Sequence, residues 1–176
     1  STGVQMGGWF KKKIRTIEDY KGLKFRMPGL GGKVIARAGA AVVLKPGSEV
    51  FTSLERGVID GTEWVGPHDD MKLGLHNAAR YYYYPGWQEP GAVAEFVFNK
   101  KAYGKLPADL RAILDYAAVY CGVQMTADYE VKNAVALARL QKKYKKKVMI
   151  QELPSNVIAV LRKLAVEVVE EEAAKS

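Results

Sequence analysis

The sequence predicts an α/β layer protein, and three observations predict it. Short apolar runs alternate with capped helical segments through the first third of the chain, Gly and Pro mark the transitions between them, and sustained helical periodicity begins only at Pro107. A helical bundle would carry the 3.6-residue period from its start.

The elements follow in order. Thr16 and Asp19 stand three residues apart, the hydroxyl-then-acid spacing of a helix start, and Gly22 closes that turn. Leu23 to Met27 reads as a short strand stopped by Pro28-Gly29. Gly29-Leu30-Gly31-Gly32 reads as a strand-to-helix turn whose amides could meet an anion, and the helix itself is expected from Lys33 to Ala38, ending at Gly39. A strand at Ala41 to Leu44 leads to the turn pair Pro46-Gly47. Ser48 then caps a helix with Val50, Phe51 and Leu54 on one face, Gly57 closes it, and Val58-Ile59-Asp60 begins another strand.

Further on, Asp69 to Ala79 is helical, the four tyrosines 81–84 suit a strand, and Ala92 to Asn99 reads as a strand with Val93, Phe96 and Phe98 apolar. From Pro107 the helical pattern runs through Leu110, Ile113, Leu114, Ala117, Met125, Tyr129, Val135 and Leu140, with no proline until Pro154. That length suits a strut joining two lobes. Val148 to Ile150 is a short strand. Ser155 caps a last helix from Val157 to about Glu171, which ends on Glu170-Glu171-Glu172 where the helix dipole favours bases; such an ending implies that the natural chain continues.

Composition narrows the function classes. With 176 residues and 48% hydrophobic content, the chain can build one core or a piece of a bilobal protein. It has no run near the ~20 apolar residues that a membrane span needs. Its one cysteine, Cys121, excludes an internal disulfide and is expected to be buried. The net charge of +8 is concentrated at Lys11 to Lys13 and Lys142 to Lys147. A basic nucleic-acid or anion-binding module is the alternative reading of that charge, but neither run is interleaved with stacking aromatics, so solvated faces are expected and no nucleic-acid partner. There is no phosphate loop, nucleophile elbow or zinc-protease motif; His68 and His76 stand apart, and His68, after Pro67, is expected in a solvent-facing loop. An enzyme is not expected.

Polar and aromatic residues in loop or strand contexts mark the candidate site: Gln5, Arg26, Glu63-Trp64 and Trp87-Gln88-Glu89. The segments that hold them carry a resemblance. Gly22 to Pro28 resembles the carboxylate-arginine segment of TRAP-transporter solute receptors, Phe51 to Trp64 resembles their helix-to-binding-strand segment, and Asn99 to Pro107 is similar to the stretch before their long spanning helix. The likeness covers nearly the whole chain with the spacing kept. Within that family, Gln5, Trp64 and the stretch Tyr81 to Glu89 look most like the branch that takes 2-oxo acids, whereas the sialic-acid branch has an arginine and an asparagine in place of Gln5 and Trp64.

The resemblance implies a periplasmic-binding-protein-like α/β fold: a second lobe plus a long interlobe helix, truncated at both ends. Residues 1–62 would form the second-lobe α/β segment, 63–106 crossing strands and part of the first lobe, and 107–176 the spanning helix and a helical end. It also implies a periplasmic receptor for a small 2-oxo or 2-hydroxy monocarboxylate, working with TRAP membrane permease subunits and able to form a homodimer when full length. Arg26 would hold the carboxylate by a two-pronged guanidinium contact. Gln5, Glu63, Trp64 and Glu89 would hold Na⁺ or Ca²⁺, and Gln5, Trp64 and Trp87 would also wall the solute.

Overall fold

The computed structural model describes residues 1–175. A six-stranded sheet forms its centre, in the order β3-β2-β4-β1-β5-β6. The strands are β1 (Gly8–Phe10), β2 (Lys24–Arg26), β3 (Ala41–Val42), β4 (Gly61–Thr62), β5 (Tyr81–Tyr84) and β6 (Met149–Glu152). β1 runs antiparallel to both of its neighbours, β4 and β5, while the β2–β3, β2–β4 and β5–β6 pairs are parallel.

Adjacent residues on a strand face opposite ways, and this divides the core into two layers. Trp9 and Tyr82 are register partners and stack at 3.9 Å between ring centroids. They join Val50, Leu54, Leu75 and Leu140 beneath α2 (Gly47–Glu55), α4 (Leu75–Ala78) and the inner end of α6 (Ala108–Lys143). Phe10 and Tyr83, the next residues along, meet edge to face on the other side with Phe25, Ile35 and Leu161, covered by α1 (Gly29–Arg37) and α7 (Ser155–Ala173).

The expected α/β class and most elements are present, with boundary corrections that have local causes. The Thr16–Asp19 capping box forms and opens a 3-10 turn, Ile17–Tyr20. α1 begins at Gly29 and not Lys33, so the glycine run is its first turn. Pro46 and Pro154, with extended backbone that suits the residue before a helix, occupy the cap positions expected for Ser48 and Ser155, which lie inside the first turns. The helix expected over Asp69 to Ala79 is broken at Gly74, whose φ of +83° ends α3 (Pro67–Lys72) before α4 starts. β4 pairs two residues, Gly61 and Thr62, just beyond the Val58–Asp60 expectation.

Other expectations fail outright. Residues 92–99 form no strand: the Thr2 amide donates to the Ala92 carbonyl at 3.1 Å but no ladder continues from it, and Val93 and Val97 are exposed at 76% and 86%. Cys121 is exposed, because it lies on the part of α6 that projects away from the sheet. The 36 residues of α6 extend about 54 Å at the usual rise per residue. Its inner third packs on α3 and buries Ala136 and Leu140, whereas Ile113, Tyr116, Val119, Tyr120 and Val123 farther out are exposed. α5 (Lys100–Gly104), capped by Asn99, leads into it.

Candidate functional site

Strand direction gathers the candidate residues at one end of the sheet. β2, β4 and β5 leave the sheet at the same end, and antiparallel β1 enters there. Arg26 is the last residue of β2 and pairs with Thr62, so Glu63 and Trp64 emerge from β4 beside it. Gly7 donates its amide to the Tyr83 carbonyl at 2.8 Å, and the Gln5 amide donates to Pro90 at 3.2 Å, which sets the lead-in to β1 against the loop that leaves β5. Gly86 makes that approach possible, since a Cβ there would stand 2.6 Å from the Gln5 carbonyl oxygen. Carboxyl ends of parallel strands are where open α/β sheets place ligands.

Arg26 donates from Nη1 to Glu63 Oε1 at 2.6 Å and from Nε to the Lys45 carbonyl at 3.4 Å. Among the described residues, Nη2 has no partner. The guanidinium carbon lies 5.4 Å from the centre of the Trp64 ring. That ring packs so closely on Gly47 that a Cβ there would come within 2.7 Å of it. The guanidinium is therefore held on three sides, by Glu63, the Lys45 carbonyl and the Trp64 ring.

Glu63 is only 6% exposed. Burial pushes its carboxyl up and the Arg26 guanidinium pulls it down, while Asp70 and Glu89 add to the rise, leaving it at about 7. The ion pair alone would favour the ionised form; burial outweighs it because both groups have lost most of their water. Glu63, Glu89, Gln88, Met27 and Gly31 line a groove of about 360 Å³. Gln5 is 3% exposed, and its Oε1 has no hydrogen-bond partner; Gln88 anchors its Nε2 on the Met6 carbonyl at 3.0 Å and likewise leaves Oε1 unpartnered.

Oxygen donors short of partners, next to buried and exposed carboxylates, suit a hard cation. Among the described residues no three His, Cys, Asp or Glu side chains gather as a closed metal cage, so amide and main-chain oxygens would have to contribute. Of the candidates, Glu63 and Glu89 line the groove itself, while Gln5, Arg26, Trp64 and Trp87 stand outside its lining; Trp87 turns into the core. It packs half-buried against the hydrophobic layer under α1 and steadies the loop that carries Gln88 and Glu89.

Sequence reasoning missed a support beneath the site. Asp70, fully buried, accepts from Trp9 Nε1 and the Tyr82 hydroxyl, each at 2.8 Å, and from the Val65 amide at 3.1 Å. Burial pushes this carboxyl up to about 6, against the downward pull of those three bonds. The Val65 bond fixes the chain just after Glu63-Trp64. No local pattern marks Asp70, since its two side-chain partners come from β1 and β5. The Lys45 carbonyl was equally hidden, because backbone acceptors leave no trace in residue identity.

Comparison with known proteins identifies the family. The model for bacterial extracellular solute-binding protein family 7, DctP, matches residues 1–176. A monocarboxylate 2-oxoacid-binding periplasmic protein of Nostoc sp. is 45% identical over 175 residues, 99% of this chain and 47% of that protein. A TRAP periplasmic solute-binding protein from Colwellia psychrerythraea, solved with bound calcium and pyruvate, superposes with a TM-score of 0.93 at 44% identity, over 99% of this chain and 53% of that one. Another from Pseudoalteromonas atlantica, solved with sodium and pyruvate, gives 0.90 at 46% identity, again over 99% and 53%. The chain thus spans about half the length of the relatives it matches. It belongs to the DctP family of TRAP solute-binding proteins.

Proposed function

We propose that this chain forms the carboxylate-holding part of a periplasmic receptor for a small 2-oxo or 2-hydroxy monocarboxylate, of pyruvate or lactate size, bound together with Na⁺ or Ca²⁺. The observation that carries the reading is the meeting of Arg26, Glu63 and Trp64 with the Gln5 and Gln88–Glu89 segments at one strand end. Relatives solved with pyruvate and a cation support it.

In this reading the free Nη2 of Arg26 takes the solute carboxylate, and Nη1 is shared between the solute and Glu63. The expected two-pronged grip thus requires Glu63 to yield part of its bond. Gln5 Oε1, Glu89 and Glu63, with the Trp64 carbonyl, hold the cation. The bound cation supplies positive charge to the 2-position oxygen and to Glu63, so the buried carboxylate stays ionised. Trp64 limits the solute's length. The receptor transforms nothing: it hands the solute to TRAP permease subunits, and the full-length protein can pair with itself. The basic run Lys142 to Lys147 lies at the inner end of α6, and its single aromatic, Tyr144, gives no row of stacking platforms to support a nucleic-acid reading.

Titration of the full-length natural protein with pyruvate and lactate, followed by tryptophan fluorescence, tests the proposal. Trp64, under the Arg26 guanidinium, should report binding. Saturable changes that require Na⁺ or Ca²⁺ are expected; no response to either acid in any cation would refute the reading.

A further inference from the structure

A second groove lies between α3, α4 and the inner part of α6, with a volume of about 450 Å³. It shares no lining residue with the strand-end groove. Lys72, Lys132 and Arg139 stand around it, and Met71, Val135 and Tyr144 give it an apolar surface. Lys132 is paired with Asp128, one turn away on α6, whereas among the described residues neither Lys72 nor Arg139 has an ion-pair partner.

His76 lines the same groove, is 6% exposed, and leaves Nδ1 without a hydrogen-bond partner. Its tautomer follows from its neighbours. Lys147 Nζ donates to Asn77 Oδ1 at 3.0 Å, which fixes the amide, so the Asn77 nitrogen faces His76 Nε2 at 3.4 Å. Nε2 must then be the acceptor and Nδ1 the protonated nitrogen. Burial, Lys147 and Arg139 all lower the His76 pKa, so the ring is a neutral donor at neutral pH. A buried N–H without an acceptor is costly, and here it sits among cations that lack counter-charges.

We propose that this groove is a second anion site, distinct from the strand-end cleft, for a carboxylate attached to an apolar body. The carboxylate would meet His76 Nδ1–H, Arg139 and Lys72, and the apolar body would lie along Met71, Val135 and Tyr144. The histidine donor and the unpaired cations ask for the charged end, and the apolar surface asks for the tail. His68, expected in a solvent-facing loop, instead sits half-buried in the first turn of α3 and closes one side, its ring edge-on to Tyr129.

Sodium octanoate is the probe, read by the side-chain ¹⁵N resonances of His76 in the full-length natural protein. Saturable movement of the Nδ1 resonance is expected, with acetate and 1-octanol each at least about tenfold weaker because each lacks one half of the recognition. Arg139→Gln and Lys72→Gln, both at exposed positions, should each weaken octanoate at least about threefold. Saturating pyruvate should leave the response unchanged. No movement of Nδ1, equal binding of octanol, indifference to both substitutions, or loss of the response under pyruvate would each overturn the site.

Discussion

The strand-end cleft and the outward part of α6 are both unfinished surfaces, unfinished in different ways. The cleft lacks hydrogen-bond partners: Gln5 and Gln88 leave amide oxygens unsatisfied, and Glu63 is buried as an acid with a guanidinium only partly committed to it. The helix lacks apolar cover: Ile113, Tyr116, Val119, Tyr120 and Val123 stand exposed, with Val93, Phe96, Val97 and Phe98 exposed in the segment before it. The first deficit is of the kind a small charged solute fills, because a few directed bonds suffice. The second needs area, which protein surface supplies. One helix shows the contrast within itself, since its inner end packs on α3 and buries Ala136 and Leu140 while its outer length is bare.

The largest expected effect tests that packing. Leu140→Ala at the fully buried inner end of α6 should cost about 2–5 kcal/mol in chemical denaturation, as buried leucines do. A loss under ~0.5 kcal/mol would mean that the two ends of the helix are alike after all.

The next prediction concerns pH. The folded chain holds the Glu63 proton up to about 7, against 4.5 for the free side chain, and the Asp70 proton up to about 6, against 3.8. In those windows the folded state binds more protons than the unfolded state, so stability falls as pH rises from about 4 to about 7. Glu63→Gln should flatten the upper part of that fall in a series of thermal melts. A stability that climbs steadily across the window would show that the Arg26 attraction, not burial, governs the cleft.

The smallest effect sharpens the other side of the comparison. Ile113→Ser with Tyr116→Ser should change stability by no more than about 0.5 kcal/mol per site, since neither side chain is buried. The same pair should lower any self-association of the isolated chain, measured by sedimentation. Strong destabilisation would mean that the outer helix is packed in solution.

Much of this could be read from residues, and what could not has a physical reason. The four-tyrosine strand, the Thr16–Asp19 box and the long helix declare themselves by propensity, spacing and period. β1 does not: three residues, Gly8–Phe10, are too few to show alternation, although this strand decides which end of the sheet receives Gln5. Residues 92–99 are rich in strand-favouring valine and phenylalanine but have no partner strand, and propensity alone cannot supply the neighbour's hydrogen bonds. In the cleft, Arg26 and Glu63 are legible as residues out of place, but their bond to each other and the Asp70 support arise only when separate strands come together.

In the proposed receptor, Arg26 grips the carboxylate of a small acid while a cation is held on the other side of the same cleft. Calorimetric titration of pyruvate into wild-type and Arg26→Lys full-length protein at saturating Ca²⁺ tests it most directly. The lysine protein should bind at least about tenfold more weakly, a loss of about 1.4 kcal/mol or more, because an ammonium cannot reproduce the guanidinium's planar contacts. An unchanged dissociation constant would take the carboxylate role away from Arg26.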